Sequence, residues 1–136
     1  MKISEPDSLT VTNRNFGWGL ATGNVVVGEE GGLTRAYFEL RIDSSRSTDG
    51  LCNGLGNFLI GAVREGLDHD NSQQRSNNAW FLYLDHGGLC GNDKLGIAQQ
   101  GEGSIKVGDR VGVLIDTEGE GRVLFFKNKQ QYGPGI

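Results

Sequence analysis

Proline and cysteine each occur only twice in 136 residues, and no apolar run is long enough to cross a bilayer as a helix. Proline-rich or collagen-like architecture is thereby excluded, as is a disulfide-dense scaffold. No window holds a helical apolar period, and no repeat, linker or low-complexity tract interrupts the chain. There is no Asn-X-Ser/Thr sequon and no apolar signal region near Met1. Basic charge is also short. The net charge is -4 and the pI about 5.1, with Lys and Arg scattered singly, so a nucleic-acid backbone is a poor partner. Cys52 and Cys90 lie far apart in glycine-rich stretches with no Cys or His at zinc spacing. We expect reduced thiols, a cytoplasmic or nuclear location, no membrane association, no metal and no cofactor.

What is abundant is glycine. Its 23 residues punctuate short apolar runs at intervals of about ten, the rhythm of a sandwich or barrel with tight turns. The expected fold is all-β, in one domain spanning residues 1–136 with residues 1–8 as a loose lead-in. A chain of this length buries roughly two thirds of its unfolded surface without a staple. Residues 107–136 (VGDRVGVLIDTEGEGRVLFFKNKQQYGPGI) are the most informative. Val111, Val113 and Ile115 share one strand face and Leu114 the other, and Val123, Leu124, Phe125 and Phe126 repeat that two-sided apolarity. Such a hairpin belongs in the middle of a two-layer structure. In residues 35–43, Ala36, Phe38, Leu40 and Ile42 alternate with Tyr37, Glu39, Arg41 and Asp43, as in a half-buried strand. Residues 24–27 read as a short strand and 85–93 as a turn-rich link before another at 95–98. Two polar stretches, 44–57 and 64–78, exceed the usual connection of about 2–6 residues more than twofold. Loops that long on a β scaffold carry function or are disordered.

The terminal hairpin resembles the SPRY domain, an intracellular protein-interaction module, and four further segments strengthen the likeness. Residues 35–42 (RAYFELRI) resemble the family's strand around an aromatic pair and a glutamate. Residues 58–63 (FLIGAV) resemble its Ile-Gly-Val strand, 79–83 (AWFLY) its Gly-Trp strand, and 9–12 (LTVT) its opening strand. The five occur in family order and cover nearly the whole chain. The resemblance implies a distorted two-sheet antiparallel β-sandwich, a concanavalin-like jelly roll, that recognises a peptide or surface of another protein and performs no chemistry. It implies a binding edge built from loops. These would be Asn13, Arg14, Asn15, Phe16 and Trp18 after the first strand; Arg46, Thr48, Asp49 and Asn53 after Asp43; and Asp68, His69, Asp70 and Arg75 after Val63. Family members continue beyond Gly133-Pro134-Gly135-Ile136 with another apolar strand. Its absence here predicts an unpaired edge that invites self-association.

Other sites are weaker. Asp68 to Ser72 places oxygens at alternate positions, but Gln73 replaces the turn glycine of a calcium loop and Ala79 its bidentate glutamate. Asp116, Glu118 and Glu120 read as a solvated turn, and Glu39 and Asp43 as solvent-facing charges about 13 Å apart, too far for a glycosidase pair. No signature joins Cys52 or Cys90 to His69 or His86. Trp80, Phe38, Phe58, Phe125 and Phe126 are expected in the core, whereas Trp18 is divided between core and recognition. A carbohydrate-binding jelly roll using Trp18, Asn53 and Asp70 is the alternative function.

Overall fold

The computed structural model describes residues 2–3, 11–12, 23, 26–28, 32–44, 58–64, 79–91, 94–97 and 105–136. Among the described residues there is no helix, and the strands form three antiparallel sheets. Lys2–Ile3 (β1) pairs with Val11–Thr12 (β2), so the expected loose lead-in carries a strand. The next strands are Arg35–Arg41 (β3), Leu59–Val63 (β4), Ala79–Tyr83 (β5), Gly88–Gly91 (β6) and Lys94–Ile97 (β7). Arg110–Asp116 (β8), Arg122–Lys127 (β9) and Gln130–Gln131 (β10) complete the set. One four-stranded sheet has the order β10-β9-β8-β3 and the other β4-β5-β6-β7.

These two sheets share one apolar core, which gives the molecule its β-sandwich character. Ile60, Leu82, Leu84 and Leu89 come from the β4–β7 side, and Val111, Val113, Val123 and Phe125 from the β3–β10 side. Ile42, Ile105 and Tyr132 join the same cluster. The alternation within β8 explains the placement. Val111 and Val113 point inward with no exposed surface, while Gly112 and Asp116 lie on the outer face. As expected, the β8–β9 hairpin is central, flanked by β3 and β10.

The β9–β10 hairpin turns on Asn128 and Lys129, both with positive φ (49° and 74°), the geometry a two-residue hairpin needs to match strand twist. Beyond it the chain stays with β9. The Tyr132 amide donates to the Phe125 carbonyl, and Val123 and Ile136 exchange two backbone hydrogen bonds of 2.9 Å. The outer edge of β9 is therefore covered by residues 130–136.

Several expectations change. Phe38, Leu40 and Phe58 are exposed rather than core, because β3 and β4 are the outer strands of their sheets among the described residues. Phe38 and Leu40 sit opposite Val113 and Val111 and share their inner face, but no described strand flanks them on the far side. The presumed link at 85–93 contains β6, hidden from a propensity reading because Gly88 and Gly91 bracket only two apolar residues. For the expected strand at 24–27, the described residues show only a single bridge beyond it, Gly28↔Leu33. Phe125 and Trp80 meet expectation, the first fully buried and the second packed against the core. Phe126 instead lies half-buried on the outer face, edge-on to Tyr37 with ring centroids 5.8 Å apart.

Gly61 and Gly112 meet close neighbours of different kinds. A Cβ at Gly61 would run into the backbone carbonyl of Trp80 on β5, and one at Gly112 would strike the Tyr37 ring. Backbone cannot yield, whereas an exposed ring can swing away. Gly61→Ala is expected to cost about 2–3 kcal/mol or more, and Gly112→Ala clearly less. Urea unfolding midpoints of the two variants would check this ranking, and equal losses would contradict it.

Candidate functional site

Arg14, Phe16, Trp18, Arg46, Asp49, Asn53, Asp68, His69, Asp70 and Arg75 all lie outside the described residues, as do Asn13, Asn15 and Thr48. What the structure describes is the frame that carries them. The chain between 44 and 58 joins β3 to β4, and the chain between 64 and 79 joins β4 to β5. Both connections therefore attach to β4, an outer strand of its sheet among the described residues, one at each end.

The anchors of that frame are fixed by specific contacts. On the β3 side, the Ile42 amide donates to the Asp109 carbonyl (3.0 Å) and the Ile42 carbonyl accepts from the Gly108 amide (2.7 Å). Ile42 itself is buried in the core, which pins the chain where it leaves β3. At the start of β4, the Phe58 carbonyl accepts from the Leu84 amide at 2.9 Å while the Phe58 ring stays exposed. At the end of β4, the Arg64 guanidinium lies 5.7 Å from the centre of the Trp80 ring. A cation over an indole at an exposed site contributes about 0.5–1 kcal/mol. Phe58 thus stands where the first connection enters β4, and Arg64, against Trp80, where the second leaves it.

A second set of charged groups was missed because each was read alone. Asp116 is directly opposite Arg35 on β3 and Arg122 on β9, so three strands place one carboxylate between two guanidiniums. Arg35 Nε lies 3.1 Å and Arg122 Nη2 3.3 Å from Asp116 Oδ2, and the Glu118 amide donates to Oδ1 at 3.0 Å. The side chain keeps 3% of its surface exposed, which corrects the expectation of a solvated turn residue. The Glu118 amide hydrogen bond, together with both arginines, holds its carboxyl below the usual range despite burial.

Glu39 is the matching group at the other end of the face, and it too is not freely solvated. Lys129 Nζ (3.1 Å) and the Tyr37 hydroxyl (3.0 Å) both reach Oε2, while Arg110 Nη1 lies 3.2 Å from Oε1. The Lys129 hydrogen bond leads the causes that lower its pKa, with Tyr37 and Arg110 adding to it against the opposing effect of burial. Burial and the neighbouring carboxylate raise the Tyr37 pKa, so its hydroxyl remains a donor. The signal for both clusters was in the register, which sequence alone does not supply: charges at 35, 116 and 122 are neighbours only once the strands are aligned.

His86 is exposed and stacks on Tyr83, ring centroids 4.9 Å apart. Its Nδ1 accepts from the Gly88 amide at 3.0 Å and its Nε2 lies 3.5 Å from Asp85 Oδ1. That distance is an electrostatic contact without hydrogen-bond geometry, and Oδ1 is buried with no donor. Both ring nitrogens face protein groups, an arrangement poorly suited to a general base. Cys90 is buried in β6, and among the described residues no three metal-binding side chains gather. No protein-family model matches the chain, and no curated protein matches it.

Glu39 and Asp116 ionise more readily in the folded chain than in the unfolded one. Their contribution is therefore present above the ordinary carboxylate range, near 3.8 for Asp and 4.5 for Glu, and is lost as pH falls through their lower folded values. We expect the thermal midpoint to fall on acidification below about pH 4, and Glu39→Gln with Asp116→Asn to flatten that fall. A pH series of melting curves checks it. A fall equally steep in the double variant would assign acid sensitivity to other carboxylates.

Proposed function

We propose that this chain is a SPRY-like, non-enzymatic interaction module that binds a peptide segment or surface of another protein through loops along one edge of its sandwich, in the cytoplasm or nucleus. The observation that carries the reading is the attachment of two long polar connections to a single outer strand of a two-sheet scaffold. They meet β4 at its two ends, with Phe58 at the base of one and Arg64 at the base of the other. Five segments in the order of the SPRY pattern add support, and each of them contains a strand: β2, β3, β4, β5 and the β8–β9 hairpin. Long loops on a rigid β frame are the usual place for recognition, because the frame fixes their ends while their side chains remain free to vary.

In this reading Trp18 and Arg14 supply anchoring contacts, and Asp68, His69, Asp70 and Arg75 supply polar ones. Trp18→Ala and Asp70→Ala are expected to weaken partner binding by tenfold or more, the loss typical of a central interface residue worth about 1.4 kcal/mol. The melting temperature is expected to be unchanged, since recognition residues in this reading serve the partner and not the fold. Peptide-display selection on the purified domain supplies the ligand, and titration of the two variants reads the effect. Undiminished affinity in both would place the binding edge elsewhere.

A further inference from the structure

The outer face of the β3–β8–β9 sheet has a composition of its own. Its middle is apolar: Tyr37 from β3, Leu114 and the bare backbone of Gly112 from β8, and Leu124 and Phe126 from β9. Tyr37 lies across Gly112 to meet Phe126 and keeps 47% of its surface exposed. Polar rows close both ends. The Arg35–Asp116–Arg122 row is one, and Glu39 with Arg110 and Lys129 is the other.

In both rows the carboxylate is sunk and the cations are outermost. Asp116 and Glu39 retain 3% and 13% side-chain exposure, against 52–72% for Arg35, Arg110, Arg122 and Lys129. Two exposed acids, Glu118 and Asp43, pair at the rim with Arg35 and Arg41. Among the described residues, the carboxylates in ion-pair reach of Arg110, Arg122 and Lys129 are the two sunk ones, and each cation keeps more than half of its side-chain surface exposed. A chain with net charge -4 thus shows an approaching molecule a cationic rim around an aromatic and aliphatic strip.

The geometry points to this face as a second docking surface, taking an extended acidic segment of a protein partner. Arg110 and Asp116, which mark the two ends, are six residues apart on β8, about 20 Å along the strand. An extended chain covers that span in about six residues. The fitting segment carries carboxylates at both ends and an apolar or aromatic side chain between them, which rests against Tyr37 and Phe126. Single-stranded nucleic acid could use the same chemistry locally, but the negative charge of the whole chain opposes it. The surface lies on residues separate from the loop edge proposed above and stands or falls independently of it.

The test is selection of a random dodecapeptide display library on the intact domain and on Arg122→Gln/Lys129→Gln, whose side chains are exposed and whose melting curve shows whether folding is intact. Enriched sequences with two acidic clusters about six residues apart are expected. Their synthetic versions should bind about fivefold or more weakly to the variant and weaken with added salt. Titration of the wild-type domain, read by backbone amide NMR shifts, should move Arg35, Tyr37, Glu39, Arg110, Arg122 and Phe126 together, a readout independent of the variant's stability. No acidic enrichment, unchanged affinity in a folded variant, or shifts confined to residues flanking β4 would overturn the proposal. So would tighter binding of a dT12 oligonucleotide than of the selected peptides.

Discussion

The described scaffold depends on β8 being paired along both edges. Seven consecutive residues face β3 and six face β9, and the same strand supplies Val111 and Val113 to the core and Asp116 to the outer face. A strand held on both sides cannot slip by one residue without exchanging those two sets, which would put a carboxylate into the core and valines into water. The register is consequently fixed by side-chain chemistry on both faces at once. It then fixes everything that reads off it: the position of Arg35 and Arg122 around Asp116, the span of Tyr37 across Gly112, and the place where Ile42 releases the chain from β3.

The central hairpin was legible because two-sided apolarity in residues 111–115 and 123–126 has no other economical explanation in a chain without helical periodicity. The ladder around β4 and β5 was legible for a similar reason, since Ile60, Phe81 and Leu82 fall in short apolar runs between polar stretches. Outer strands were harder. Alternation in residues 36–42 identifies an inner face but not how much of it is covered, and coverage depends on the neighbour across the sheet edge. Phe38 and Leu40 point the expected way and remain exposed. β6 was missed because glycine at both ends removes the propensity signal, although Leu89 and Cys90 are buried as firmly as residues of the longer strands. Of the candidate site, the sequence reaches only the loops and their lengths. The side chains at 14–18, 46–53 and 68–75 depend on how those loops fold, which local pattern does not encode.

Charge was the property least legible from the chain. Asp and Glu have short side chains, so on a sheet face they sit near the backbone, where cross-strand donors and backbone amides reach them. Lys and Arg carry their charge several carbons further out and keep it in water while the stem lies on the sheet. A face with matched numbers of acids and bases therefore presents its bases. Asp116 shows this at one end of the sheet and Glu39 at the other, each enclosed by cations that remain exposed.

It follows that the net charge of a small β domain and the sign of one of its faces are set by different things. Net charge governs long-range approach and is counted over all 136 residues. The local sign is set by side-chain length and register, within a few ångströms of the sheet, at distances shorter than the ~8 Å over which physiological salt screens. A partner suited to this outer face therefore needs close complementarity more than strong bulk charge. A short extended segment with a few well-placed carboxylates supplies that complementarity. A uniformly charged polyanion is opposed by the net negative charge of the molecule before it can use the same four cations.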